Sequence, residues 1–102
     1  MTDILDRLEA TIRDRRGADP ASSYVAALFA HGTPRIAQKV GEEATEVVIA
    51  ALARPDTLAS EAADLLFHLL VLLADAGLDL ADVTAELARR EGLSGHEEKA
   101  SR

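Results

Sequence analysis

Residues 57–76 read TLASEAADLLFHLLVLLADA, and this segment limits the fold more than any other. Its spacing predicts one helix, stopped at Gly77. Projected at about 100° per residue, Leu58, Ala62, Leu65, Leu66, Phe67, Leu69, Leu70, Leu72 and Leu73 cover most of the circumference. A helix that is apolar nearly all round must be buried nearly all round. A chain of 102 residues is one domain and buries only about 60–70% of its unfolded surface. Its other helices are too few and too amphipathic to enclose such a segment, so a second copy is expected to cover it. The expected fold is all-α, with four to five helices forming a bundle completed by dimerisation.

Punctuation sets the remaining helices. Ile4, Leu5, Leu8 and Ile12 place the first over about 3–15, and Arg16-Gly17-Ala18-Asp19-Pro20 breaks it. A second runs over about 21–30, with Tyr24, Val25, Leu28 and Phe29 on one apolar face, and ends at Gly32. Thr33 as cap and Pro34 at the first position open a third, to about Ala53. Asp56 or Thr57 caps the fourth, and Asp79 with Asp82 caps a last helix over about 80–91. Residues 1–92 are thus the helical domain and 93–102 a polar tail. Only three residues are aromatic, which favours helices over sheets.

Several classes drop out on composition. The absence of cysteine removes disulfides, zinc thiolates and thiol nucleophiles. A net charge of −7 leaves no basic footprint for nucleic acid. The acidic N-terminus does not read as a signal peptide. The longest apolar run, Leu65 to Ala74, has ten residues and includes His68, whereas a membrane span needs about 20. A cytoplasmic protein is expected.

The apolar helix also carries a polar stripe. Glu61, Asp64, His68 and Asp75 fall within about 60° on it, with Thr57 beside them. Such a stripe is costly without compensation. On the preceding helix, Lys39, Glu43 and Glu46 lie together beside Ile36, Val40, Ala44 and Val47, with Glu42 at the margin. Helices joined at Arg54-Pro55 pack antiparallel, which brings the pair Glu43/Glu46 to face Glu61/Asp64. Carboxylates with only Lys39 between them repel one another, and a hard divalent cation removes the repulsion. Oxygen donors favour Mg²⁺ or Mn²⁺, and Mg²⁺ points to phosphate chemistry. A di-iron bundle wants Glu-x-x-His pairs, and here the fourth positions are Glu46 and Asp64. One acidic pair alone is usually a solvated face, and His68 on the stripe reads as a satisfied core residue or as support for the site.

Lys39-x-x-Glu42-Glu43-x-x-Glu46 followed by Glu61-x-x-Asp64 resembles the all-α nucleotide pyrophosphatase superfamily, which includes MazG-type and dimeric dUTPase enzymes. The closer resemblance, over about residues 3–102, is to the phosphoribosyl-ATP pyrophosphatase family of histidine biosynthesis. It rests on Ser23-Tyr24, Leu28-Phe29, the block from Gly32 to Glu43, Ala63-Asp64-Leu65-Leu66 and the tail Glu97 to Arg102. The resemblance implies hydrolysis of phosphoribosyl-ATP to phosphoribosyl-AMP and pyrophosphate by Mg²⁺-activated water, in a homodimer; at 102 residues no fused cyclohydrolase domain is expected.

The site expected on this basis has Glu43, Glu46, Glu61 and Asp64 as metal ligands. Glu42 or Glu46 accepts the proton of water, and Lys39 stabilises phosphate charge. Arg35, Lys39, Lys99 and Arg102 anchor the substrate. Lys39 has a plainer alternative, a salt bridge with Glu43. Two rival functions remain: a housekeeping nucleoside triphosphate pyrophosphatase, and a non-catalytic acidic helical interaction module.

Overall fold

The computed structural model of the protein describes residues 3–102; the side chains of Glu98 and Ser101, both in the tail motif, lie outside the described residues. Six α-helices follow in order among these residues: α1 (Ile4–Arg15), α2 (Tyr24–His31), α3 (Thr33–Ala53), α4 (Leu58–Asp75), α5 (Leu80–Arg89) and α6 (Gly95–Ser101). A single 3₁₀ turn, Pro55–Thr57, joins α3 to α4. The described residues contain no strand, in keeping with the all-α expectation.

Helix starts follow side chains that satisfy the free N–H groups. Asp3 accepts from Asp6 N–H at 2.9 Å and opens α1. Asp79 and Asp82 form the expected reciprocal cap on α5. The start of α2 falls later than expected. Asp19 accepts from Ala21 N–H with its side chain and from Ser22 and Ser23 with its carbonyl, holding 19–22 as a turn. Ser23 then caps α2 through Ala26 N–H.

Thr33 behaves differently from its sequence reading. It is the first residue of α3, and Gly32 takes the cap position at φ 91°. Only glycine adopts that conformation cheaply. The freed Thr33 hydroxyl donates across to Asp75 Oδ2 at 2.5 Å, tying the start of α3 to the end of α4. Thr57 likewise precedes α4 without capping it, its hydroxyl donating to Arg54 O. The polar tail carries a helix of its own. Ser94 and Glu97 form a reciprocal cap and open α6, because Ser-x-x-Glu supplies both halves of a capping box.

The core lies where α1, α2, α3 and α4 meet, with Ile12, Val25, Leu28, Ile36, Leu70 and Val71 buried. The antiparallel α3–α4 pair forms the main contact. Arg16 fastens α1 to the end of α4, donating to Ala74 O at 2.9 Å while its guanidinium lies 4.6 Å from the Phe29 ring. Glu9 accepts from Leu80 N–H at 2.6 Å and joins α1 to α5.

This core does not enclose α4. Leu66 on α4 and Val48, Ile49 and Leu52 on α3 are exposed, Leu52 by 83%. The radius of gyration is 15.6 Å, where a compact chain of about 100 residues gives roughly 13 Å. By length and composition, the stretch Pro55–Asp75 would suffice to cross a membrane, although its longest uninterrupted apolar run is short. Glu61, Asp64, His68 and Asp75 all lie on that stretch.

Ile36 is wholly buried between α3 and its neighbours. Ile36→Ala should therefore cost about 2–5 kcal/mol in urea unfolding, and a loss under about 1 kcal/mol would contradict that packing.

Candidate metal centre

Packing of α3 on α4 brings Glu43 of one helix to the pair Glu61 and Asp64 of the other. Carboxylate oxygens of Glu43, Glu61 and Asp64 lie within 4.8 Å of one another. Glu43 and Glu61 are half-buried, and Asp64 opens to solvent. At that spacing each pair of charges repels by about 1–3 kcal/mol, between water and protein-surface screening. Lys39 relieves part of this, with Nζ 3.6 Å from Glu43.

Glu46 does not join this group. Its carboxylate meets Arg54 at 3.4 Å, beyond the end of α3. Arg54 is accordingly a residue that the sequence reading missed. The signal was its place just past the last turn, where an arginine can fold back onto the helix.

Glu42 sits in a separate cationic cluster. Lys39 approaches it at 3.2 Å, Arg35 at 3.8 Å, and Gln38 donates to it at 3.0 Å. The Lys39 hydrogen bond holds the Glu42 carboxyl below its ordinary value, against the opposing effect of desolvation, with Gln38 and Arg35 assisting. Lys39 is raised in turn, chiefly by its bond to Glu42; partial burial opposes this, while Tyr24, Glu42 and Glu43 add to it through their charges. It therefore stays an ammonium at neutral pH and donates. Lys39 thus makes the salt bridge with Glu43 and stands at the border of the cluster. Arg35 stands in the first turn of α3, where the helix dipole disfavours a cation, and Glu42 supplies its partner.

Lys99 is exposed on α6, and Arg102 ends that helix. Among the described residues, this helix makes no extensive contact with α3 or α4. His68 is 6% exposed and fully satisfied, with Nδ1 2.7 Å from Asp64 O and Nε2 2.8 Å from the Tyr24 hydroxyl. Tyr24 was read as one residue of an apolar face. A tyrosine there, rather than phenylalanine, carries a hydroxyl that needs a partner, and His68 on the facing stripe could have been matched to it.

The donor set suits a hard divalent cation. Three oxygen ligands on rigid helices with one open side leave room for waters and phosphate, as Mg²⁺ requires.

Comparison with known proteins decides the family. The sequence profile described as phosphoribosyl-ATP pyrophosphohydrolase matches residues 5–91. The chain belongs to the phosphoribosyl-ATP pyrophosphohydrolase family. A phosphoribosyl-ATP pyrophosphatase of Rhizorhabdus wittichii is 66% identical, with 100% of this chain and 97% of that protein covered. Proteins of the same name are 66% identical in Erythrobacter litoralis, covering 96% of this chain and 95% of the other, and 63% in Novosphingobium aromaticivorans, covering 98% and 94%. All three carboxylates of the cluster, with Lys39, fall inside the span matched to the phosphoribosyl-ATP pyrophosphohydrolase profile.

Lys39→Met should return the Glu42 carboxyl towards its ordinary value, read by NMR titration of the side chain. The sign follows from the depression. Glu42 contributes stability above its unfolded value and loses it as pH falls through the lower folded one. An unmoved Glu42 titration would contradict the pairing.

Proposed function

We propose that this chain hydrolyses phosphoribosyl-ATP to phosphoribosyl-AMP and pyrophosphate, the second step of histidine biosynthesis. The observation that carries the mechanism is the convergence of Glu43, Glu61 and Asp64 within 4.8 Å. Family membership and near-complete coverage of the relatives support the substrate. These favour phosphoribosyl-ATP over canonical nucleoside triphosphates, and both favour an enzyme over an interaction module.

Glu43, Glu61 and Asp64 would hold Mg²⁺, or Mn²⁺, with Glu46 as a further ligand once it leaves Arg54. When bound, the ion offsets the carboxylates' repulsion of phosphate and makes water more acidic. The protein's own groups do the rest. Rigid placement on two packed helices keeps the carboxylates oriented before substrate arrives. Lys39, held as an ammonium, stabilises charge that develops on the phosphate. Glu42 is a weak base, because Lys39, Arg35 and Gln38 already donate to it. When it does not bind the ion, Glu46, half-buried and tied only to Arg54 among the contacts described, is the better acceptor of the water's proton. Arg35, Lys99 and Arg102 are the remaining cations for substrate anchoring.

We further read the protein as a cytoplasmic homodimer that binds neither nucleic acid nor membrane. Exposed Val48, Ile49, Leu52 and Leu66 support the dimer, since a patch of this kind marks an interface. The acids of the α4 stripe would be expensive in lipid, which supports water and a charged ligand there instead.

Two measurements test these readings. Glu61→Gln or Asp64→Asn should lower pyrophosphate release from phosphoribosyl-ATP by more than about 100-fold, as even residues that only support metal ligands typically contribute 10–100-fold. Helical circular dichroism should stay at the wild-type level, and retained turnover would exclude these ligands. Light scattering on Leu52→Asp should give the monomer mass where the wild type gives the dimer mass. A wild-type monomer would overturn the dimer.

A further inference from the structure

Tyr24 and His68 take no part in the chemistry described so far. The His68 Nδ1 lies 2.7 Å from the carbonyl oxygen of Asp64, and Nε2 lies 2.8 Å from the Tyr24 hydroxyl. A carbonyl only accepts, so in the neutral ring Nδ1 carries the proton and Nε2 is the bare acceptor. The Tyr24 hydroxyl must then donate to Nε2. Its single hydrogen is spent inward, and the lone pairs left on its oxygen can only accept.

The ring is fixed as well. Phe67 stacks on it at 6.1 Å and 22°, and His68 meets it edge-on at 5.7 Å. Tyr24 nevertheless remains 53% exposed. A surface tyrosine is free to turn its hydroxyl to water. This one turns it to a buried histidine and shows solvent a rigid ring with an accepting oxygen. The phenol is also tied to the site by geometry, because the His68 ring it bonds is held by the backbone carbonyl of Asp64, one of the three clustered acids.

This chemistry selects a ligand group. Ionised phosphate oxygens are acceptors and cannot bond an oxygen that only accepts. The neutral donors next to the phosphates of a nucleotide are its sugar hydroxyls. His68 stands four residues beyond Asp64, about 6 Å further along the helix axis, which is the distance of a sugar from a phosphate held at the carboxylates.

We propose that Tyr24 accepts a hydrogen bond from a hydroxyl of the ribose that carries the phosphates, and that His68 is the positioning residue that aims the Tyr24 oxygen. The assignment rests on the functional reading above and makes Tyr24 a determinant of ribose over deoxyribose.

Calorimetric titration of the whole chain in Mg²⁺ tests it, using the non-hydrolysable α,β-methylene-ATP and its 2′,3′-dideoxy counterpart. The wild type should prefer the ribonucleotide by about tenfold, the value of one hydrogen bond near 1.4 kcal/mol. Tyr24→Phe, which keeps the ring, should bring the two within about twofold while leaving the dideoxy affinity unchanged. His68→Gln should narrow the preference too, and should add nothing in the Tyr24→Phe background, because it acts through Tyr24. A preference that survives Tyr24→Phe overturns the proposal, as does a wild type that shows none or binds neither nucleotide. If His68→Gln does not fold, Tyr24→Phe alone decides. A chain that shows the preference yet releases no pyrophosphate from phosphoribosyl-ATP would sink the functional reading and leave this one standing.

Discussion

The antiparallel contact of α3 with α4 buries Ile36 on one helix with Leu70 and Val71 on the other, and Ala50 is buried towards the turn. It can do so only in a register that brings Glu43 against Glu61 and Asp64. Apolar burial therefore holds three like charges closer than they would choose. Burying an aliphatic side chain contributes about 1.5–3 kcal/mol, enough for a few such residues to outweigh a repulsion of about 1–3 kcal/mol per pair. A divalent cation bound there would offset that repulsion, and stability and metal affinity would then be coupled through the same packing.

The surrounding interactions preserve that register. Thr33 and Asp75 clamp one end of the hairpin. At the other end, Pro55–Thr57 makes a tight turn, closed by Thr57 on Arg54 O. Arg16 caps the exposed carbonyl of Ala74 and packs on Phe29, so α1 and α2 are drawn onto the same pair. Lys39 bridges the margin of the cluster to Glu42, which lets one cation serve both acids. What the fold leaves uncovered, Leu52 above all, is apolar surface that the buried hairpin cannot reach.

Much of this was legible in the sequence, and the exceptions have a common cause. Gly32, Gly77 and the Asp79–Asp82 cap act within a few residues, so local spacing placed them. The acidic pairs were found because a three-residue step on a helix fixes which side chains share a face. The registers of side chains that reach across elements were not legible. Thr33 was read as a cap because its partner Asp75 lies 42 residues away. Arg54 was missed as the partner of Glu46 because it folds back only once α3 has ended. Tyr24 looked apolar because His68 faces it from another helix. The Ser94–Glu97 cap was local and readable, but the polar, glycine-containing tail concealed it.

The central claim is that Glu43, Glu61 and Asp64 together hold a divalent cation. Paramagnetic broadening by Mn²⁺ of labelled side-chain carboxyl resonances tests it directly, because the effect falls off steeply with distance from the ion. At substoichiometric Mn²⁺, the signals of these three residues should vanish first, while those of Asp14 and Glu91, exposed and distant in sequence, persist. Uniform broadening of every exposed carboxylate, with no priority for the cluster, would contradict the account.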